Sequence, residues 1–138
     1  MRGVQDVHDE QEVVRDAATR RFAPDARSVR DARAFVTDVL EQAHDTDDVI
    51  MRAVMIVSEL AGNAVLHAAT TYAVRIGRRG DTVRGEVADA NGQLPRRASR
   101  PRETGGRGLL IVAAAADRWG VRREAGGKIV WFEIDETG

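Results

Sequence analysis

The segment IVSELAGNAVLHA, residues 56–68, is almost wholly apolar but carries Glu59, Asn63 and His67 at intervals of four residues. Residues four apart lie on one face of a helix, so these side chains would form a polar ridge with apolar flanks. A carboxylate or an amide in apolar surroundings costs free energy unless it has a partner. The ridge is therefore the first candidate for a functional site.

The composition predicts one globular domain. The chain has 138 residues with 43% hydrophobic content, enough for a continuous core. It contains no cysteine, and its three histidines are too scattered to suggest a zinc site, so a metal ion would need oxygen ligands. The absence of disulfides is typical of a reducing compartment, and we expect a cytoplasmic protein.

Neither membrane nor nucleic acid is an expected partner. No apolar run is expected to approach the roughly 18 residues of a membrane span, and the first residues, MRGVQDVHDEQEVVRD, are too polar for a signal peptide. The net charge of -1 gives no overall attraction to polyanions. Five arginines cluster between residues 96 and 107, but no interleaved aromatic residues offer stacking to bases.

Residues 1–20 show no clear period, and we expect a flexible or partner-ordered arm before a domain at 21–138. A short strand is predicted at 19–23. A helix begins near Pro24 and Asp25, and a long helix at about 48–69 is capped by Thr46 or by the next residue.

Alternating residues then predict a hairpin that turns at Arg79-Gly80-Asp81. Its second strand turns Asp89 inward, on the same face as Val87. Residues 93–106 lack an apolar period and form a longer connection than usual, which predicts a lid or binding loop.

Glycines at 105, 106 and 108 open a predicted helix whose apolar body continues to Trp119 and stops at Gly120. Two last strands, at 121–124 and 129–135, flank a turn at Gly126-Gly127. The alternation of Val130, Phe132 and Ile134 predicts one core-facing side.

Four motifs in this order resemble a known family. SELAGNAVLHA is similar to its N box, VADANGQLP to its first glycine box, TGGRGLLIVAAAADRWGV to its second, and GKIVWFEI to its last strand. The chain from Arg21 to Ile134 thus resembles the ATP-binding domain of histidine kinases, gyrase, Hsp90 and MutL, the Bergerat fold, in its stand-alone branch of anti-sigma-factor serine kinases. The resemblance implies an α+β two-layer sandwich, with a mixed, mostly antiparallel sheet covered on one face by helices.

The resemblance also implies a site for ATP and Mg²⁺. Asn63 would bind magnesium through its side-chain oxygen, Glu59 would act as general base, and Asp89 would accept a hydrogen bond from the adenine amino group. Guanine has an oxygen at that position and would be rejected. The implied nucleotide-binding residues are Asn63, Asp89, Asn91, Gly92, Gly106, Arg107, Gly108 and Leu109.

The physical chemistry of these residue types agrees with the implied roles. Magnesium prefers oxygen ligands and needs few from the protein when it bridges phosphates. A helix N-terminus offers free backbone N–H groups to phosphate, and glycines such as Gly106 and Gly108 permit close approach. Arg107 could add a charge-assisted contact.

The implied function is that of an ATP-dependent serine/threonine kinase and anti-sigma regulator. Such a protein binds a sigma factor and phosphorylates an anti-anti-sigma antagonist of the STAS type. A chain of 138 residues has no room for the helical phosphoacceptor domain of a histidine kinase, so the substrate would come in trans. Whether the protein forms a homodimer stays open.

Other interpretations of single residues remain. Glu59 could be half of a buried ion pair, His67 a hydrogen-bonding residue at a helix end, and Asp89 the start of a turn.

The superfamily pattern Asp-x-Gly-x-Gly is also altered, since Asn91 and Gln93 replace its glycines. There are two competing functions. One is a module that binds its partner without phosphoryl transfer, and the other is a protein that binds nucleic acid through its arginine loop.

Overall fold

The computed structural model describes residues 15–90, 104–124 and 126–136. The helices and strands, in chain order, are β1 (Arg15–Phe22), α1 (Ala26–Gln42), α2 (Asp47–Asn63), a π-helical segment (Ala64–Ala68), β2 (Tyr72–Arg79), β3 (Thr82–Asp89), α3 (Thr104–Ala115), β4 (Arg118–Glu124) and β5 (Gly127–Asp135).

Both predicted helix starts are confirmed by their caps. The side chain of Asp25 accepts a hydrogen bond from the backbone N–H of Ser28 at the start of α1, and Thr46 accepts one from Val49 at the start of α2. These bonds satisfy backbone donors that have no partner within the helix.

The strands form one sheet in the order β1-β2-β3-β5-β4. A mixed sheet was expected, but each pair among the described strands is antiparallel. The reason is the position of β5. Strands β3 and β4 run in the same direction, and β5 lies between them and runs opposite to both.

The α+β two-layer prediction is confirmed. Helices α1 and α2 pack against each other and against one face of the sheet, and α3 packs on α2. Alternation along the strands turns one set of side chains into this layer. The buried strand residues include Val74, Ile76, Val83, Val87, Val130, Phe132 and Ile134.

The register brings three side chains to one end of the sheet. Tyr72 at the start of β2 lies opposite Asp89 at the end of β3, which lies opposite Lys128 near the start of β5. We call this the Asp89 end. Helix α2 and its π-helical segment also finish there, because only a short link joins them to Tyr72.

The predicted end of the third helix is wrong. Helix α3 ends at Ala115, and Trp119 and Gly120 belong to β4. The backbone N–H of Asp117 already bonds to the carbonyl of Glu133, so pairing with β5 takes over from helical bonding. Gly120 is not a left-handed cap; a Cβ there would lie 2.8 Å from the indole nitrogen of Trp131.

Two other boundaries differ from the sequence-based ones. Strand β1 begins at Arg15, so part of the expected arm at 1–20 lies in the sheet. The last turn of the predicted 48–69 helix is π-helical, and it ends at Ala69 with φ of 55°.

Residues Asp47–His67 are long and apolar enough, by length and composition alone, to span a membrane, with a mean hydropathy of 1.7. Their packing gives another explanation. Ala53, Ile56 and Val57 are fully buried in the core, as in the central helix of a folded domain.

Candidate functional site

Asn63 is the last residue of α2, directly before the π-helical segment. Its side-chain oxygen Oδ1 is buried and has no hydrogen-bond partner within the described parts of the chain. An unsatisfied buried acceptor costs about 1–3 kcal/mol, and π-helical turns are frequent at functional sites. The amide oxygen is thus held where a ligand or cation could satisfy it.

Glu59 lies one helical turn before Asn63 and is partly buried. No residue of the described ranges forms a salt bridge with it, so the structure supplies no partner for the ion-pair interpretation. The neighbouring Ser58 accepts a hydrogen bond from Arg33 at 3.0 Å. His67 is exposed and lies in the π-helical segment.

Asp89 faces inward, as the strand pattern predicts, and its side chain is only 7% exposed. It does not stand alone. The Lys128 ammonium donates to Asp89 Oδ2 at 2.7 Å, and Lys128 is itself 12% exposed. This pair lies across the β3–β5 register.

Lys128 was missed from the sequence, although a signal was available. Counting back by twos from Phe132 and Val130 puts residue 128 on the same core-facing side. Lys128 also lies within the motif GKIVWFEI, but the resemblance implies only a strand there and no role for this residue.

A hydrogen bond ties Asp89's strand to the chain that follows α2. The backbone N–H of Ala90 donates to the side-chain oxygen of Thr70 at 3.3 Å. Asn63 and Asp89 therefore belong to segments that meet at the same end of the sheet.

Helix α3 is directed toward this end. Arg52, in the first half of α2, donates from Nε to the carbonyl of Ala115 at the end of α3, at 2.8 Å. Strand β4 then starts at the opposite end of the sheet from Asp89. The two helices thus run antiparallel, and the first turns of α3 point toward the end of α2 that carries Asn63.

The remaining predicted site residues lie in or before these turns. Gly106, Arg107 and Gly108 are within the first turns of α3, and Leu109 is buried. Asn91 and Gly92 lie outside the described residues, as does most of the predicted lid.

A cavity of about 330 Å³ opens at the Asp89 end. Asp89, Lys128, Tyr72, Thr71 and Arg21 are among its lining residues, whereas Glu59 and Asn63 are not. Its lining also includes Arg21, Ala73, Ala88 and Ile129, a cross-strand row whose side chains alternate with those of Tyr72, Asp89 and Lys128 and lie on the face of the sheet opposite the helices. Asn63, the proposed magnesium ligand, and Glu59, the proposed general base, lie outside that pocket.

Comparison with known proteins gives a family and a related fold. Residues 22–134 match the model of the histidine kinase-like ATPase domain. Among solved structures, the RsbU and RsbW domains of Rv1364c from Mycobacterium tuberculosis superpose with a TM-score of 0.68 at 20% identity. That likeness covers 86% of this chain and 32% of the other, and at this identity it shows the fold alone. No curated protein was found to match. Since the family model covers most of the chain, this protein belongs to the histidine kinase-like ATPase domain family.

Proposed function

We propose that the protein is an ATP-binding anti-sigma regulator, a serine/threonine kinase that phosphorylates a STAS-type anti-anti-sigma protein and sequesters a sigma factor. The carrying observation is the unpartnered buried oxygen of Asn63, at the end of α2 in a histidine kinase-like ATPase domain. The RsbW domain named in the related structure favours the regulatory branch.

The residues present fit Mg²⁺ and ATP. Asn63 Oδ1 offers an oxygen ligand of the kind that magnesium prefers. Magnesium, when bound, neutralises charge on the phosphates. The first turns of α3 would present backbone N–H groups to phosphate oxygens. Arg107 would add a positive charge there, with Gly106 and Gly108 allowing a close approach of the backbone.

Glu59 is the proposed general base. A carboxylate that no described cation neutralises can accept the proton of a substrate hydroxyl. It stands one turn from Asn63, so proton acceptance and phosphate binding would occur side by side. Such proton transfer contributes about 10²- to 10⁴-fold to a rate.

At the Asp89 end of the sheet, Asp89 would accept a hydrogen bond from the nucleobase. Asn91, Gly92 and Leu109 would complete the nucleotide site. We place the protein in the cytoplasm, with protein partners and without nucleic acid or membrane.

A second candidate is a sequestration module that binds its partner, and nucleotide if retained, without phosphoryl transfer. The altered first glycine box, in which Asn91 and Gln93 stand where the superfamily has glycines, favours it.

The test is a transfer assay with labelled ATP, Mg²⁺ and candidate STAS-type antagonists. Transfer of label that is lost in Glu59→Ala, while nucleotide binding persists, supports the kinase. Ser58→Ala, the adjacent polar residue, is the matched control and should retain transfer. Nucleotide or partner binding without transfer to any antagonist supports sequestration and contradicts the kinase.

A nucleic-acid function of the arginine loop is tested separately by titrating salt. Binding that weakens steeply with salt would support it. Absent or salt-independent binding would remove it.

A further inference from the structure

Lys128 is the single lysine among the 21 basic residues of the chain, the others being arginine. Lysine differs from arginine in having a compact ammonium with three donors that can point in different directions, in place of a planar fork. The position therefore offers a small, adaptable donor where arginine would fill more space.

The ammonium and the Asp89 carboxylate lie side by side at the cavity. Their separation is 2.7 Å, their side chains are 12% and 7% exposed, and both residues line the 330 Å³ pocket. Among the described residues, Asp89 is the hydrogen-bond acceptor found for Lys128. Because Lys has three donors, the pair presents both a donor and an acceptor.

This combination matches both purines. Adenine carries an amino donor beside a ring nitrogen that accepts, and guanine carries a carbonyl oxygen that accepts beside a ring N–H that donates. A lone carboxylate would repel the guanine oxygen. Guanine reverses the positions of donor and acceptor relative to adenine, so its ring would bind in a shifted placement, with its oxygen at the Lys128 ammonium and its ring N–H at the Asp89 carboxylate.

We propose that Lys128 is a specificity-determining residue that allows the site to bind guanine as well as adenine nucleoside triphosphates. The inference rests on the proposed nucleotide-binding function. It replaces the sequence-based expectation that guanine is rejected, because that expectation considered Asp89 without its neighbour.

The experiment is calorimetric titration of the full chain with Mg-ATP and Mg-GTP, for the wild type and for Lys128→Met. Methionine is an unbranched side chain one atom shorter than lysine, and it removes the charged donor. We expect wild-type affinities for the two nucleotides within about tenfold of each other, and a shift in the ratio toward ATP of at least about tenfold in the variant, as for loss of a base-reading contact.

Arg79→Met is the matched control. It removes one positive charge from the same sheet, at the hairpin turn far from Asp89, where Arg79 is 49% exposed. The ratio of ATP to GTP affinity should stay unchanged in this variant. An equal shift in both variants would show a general charge effect and overturn the proposal.

A second measurement needs no substitution. In protein carrying ¹³C at the lysine side chain, Lys128 gives the one lysine ε-methylene signal, since the chain has no other lysine. Both nucleotides should shift it. ATP binding without GTP binding, or an unchanged ratio in Lys128→Met, overturns the inference but leaves the proposed function intact. Absence of binding by either nucleotide overturns the proposed function, and this inference with it.

Discussion

The hydroxyl of Tyr72 lies 2.7 Å from the hydroxyl of Ser28, in a buried contact between β2 and α1. Ser28 donates its own proton to the carbonyl oxygen of Asp25 at 2.8 Å, so Tyr72 is the donor in the pair. Tyr72 also lies directly opposite Asp89 in the sheet. The bond therefore fixes the capped start of α1 to the end of the sheet at which Asp89 and Lys128 lie.

Replacing Tyr72 with Phe should lower the free energy of unfolding by about 1 kcal/mol, because the buried hydrogen bond is lost and Ser28 keeps an unsatisfied oxygen. Urea unfolding measures the change. Ser28→Ala should cost a similar amount, and the double variant should cost less than the sum of the two. Fully additive effects would contradict the coupling.

Burial raises the pKa of the Tyr72 phenol above its usual value; the contact with Ser28 acts to lower this pKa, but burial outweighs it, and the charges of Asp25 and Asp31 add to the rise. The folded state thus favours the neutral phenol. The contribution of the neutral Tyr72 phenol to the free energy of unfolding is complete below about pH 10, the ordinary tyrosine pKa. It is lost as pH rises through the pKa that Tyr72 has in the folded protein.

Tyr72 is the only tyrosine, so tyrosinate absorbance reports it alone. The native titration should lie above that of the urea-unfolded chain. Coincident titrations in the two states would show that the phenol is not buried in solution.

Asn63→Ala should weaken Mg-ATP binding by at least about tenfold, in the range found when metal sites lose a supporting group. The free energy of unfolding should change by less than about 1 kcal/mol, since the amide oxygen has no partner to lose among the described residues. Calorimetry and urea unfolding give the two values. Unchanged nucleotide affinity would contradict the magnesium assignment.

On the open face of the sheet, Glu133 accepts hydrogen bonds from Arg118 at 2.7 Å and from Arg84 at 3.0 Å. The Glu133 and Arg84 side chains are almost completely buried. Glu133→Ala should therefore destabilise the fold by about 3 kcal/mol, because a buried charge loses a partner. Glu124→Ala, which breaks a half-exposed pair with Arg122, should cost less than about 1 kcal/mol. Equal losses would contradict the role assigned to burial.

The same contacts make the stability of the fold depend on pH in the acid range. Burial alone would raise the pKa of Glu133, but the bonds from Arg118 and Arg84 outweigh it and hold that pKa below its usual range. A depressed pKa stabilises the fold above about pH 4.3, the ordinary value, and this stability is lost as pH falls through the folded pKa. Urea unfolding over this pH range should show a smaller decline in Glu133→Ala than in the wild type.

Local features of the sequence were sufficient to predict most of the helices, strands and turns. The caps at Asp25 and Thr46, and the turn at Gly80 with φ of 63°, are decided by neighbouring residues and were predictable. The end of α3 was not, because its apolar run continues past Ala115 and only pairing with β5 stops the helix.

The sequence by itself determined most helices and strands, the inward face of Asp89 and the polar ridge of Glu59 and Asn63, because helical and strand periods are local properties. The two-layer α+β fold followed from the resemblance of its ordered motifs to a known family. The tertiary structure alone decided that the Asn63 oxygen is buried without a partner in the described chain and that Lys128 pairs with Asp89. Burial and pairing depend on residues far apart in the chain, and here the register of β3 and β5 brings a cation 39 positions away to the carboxylate.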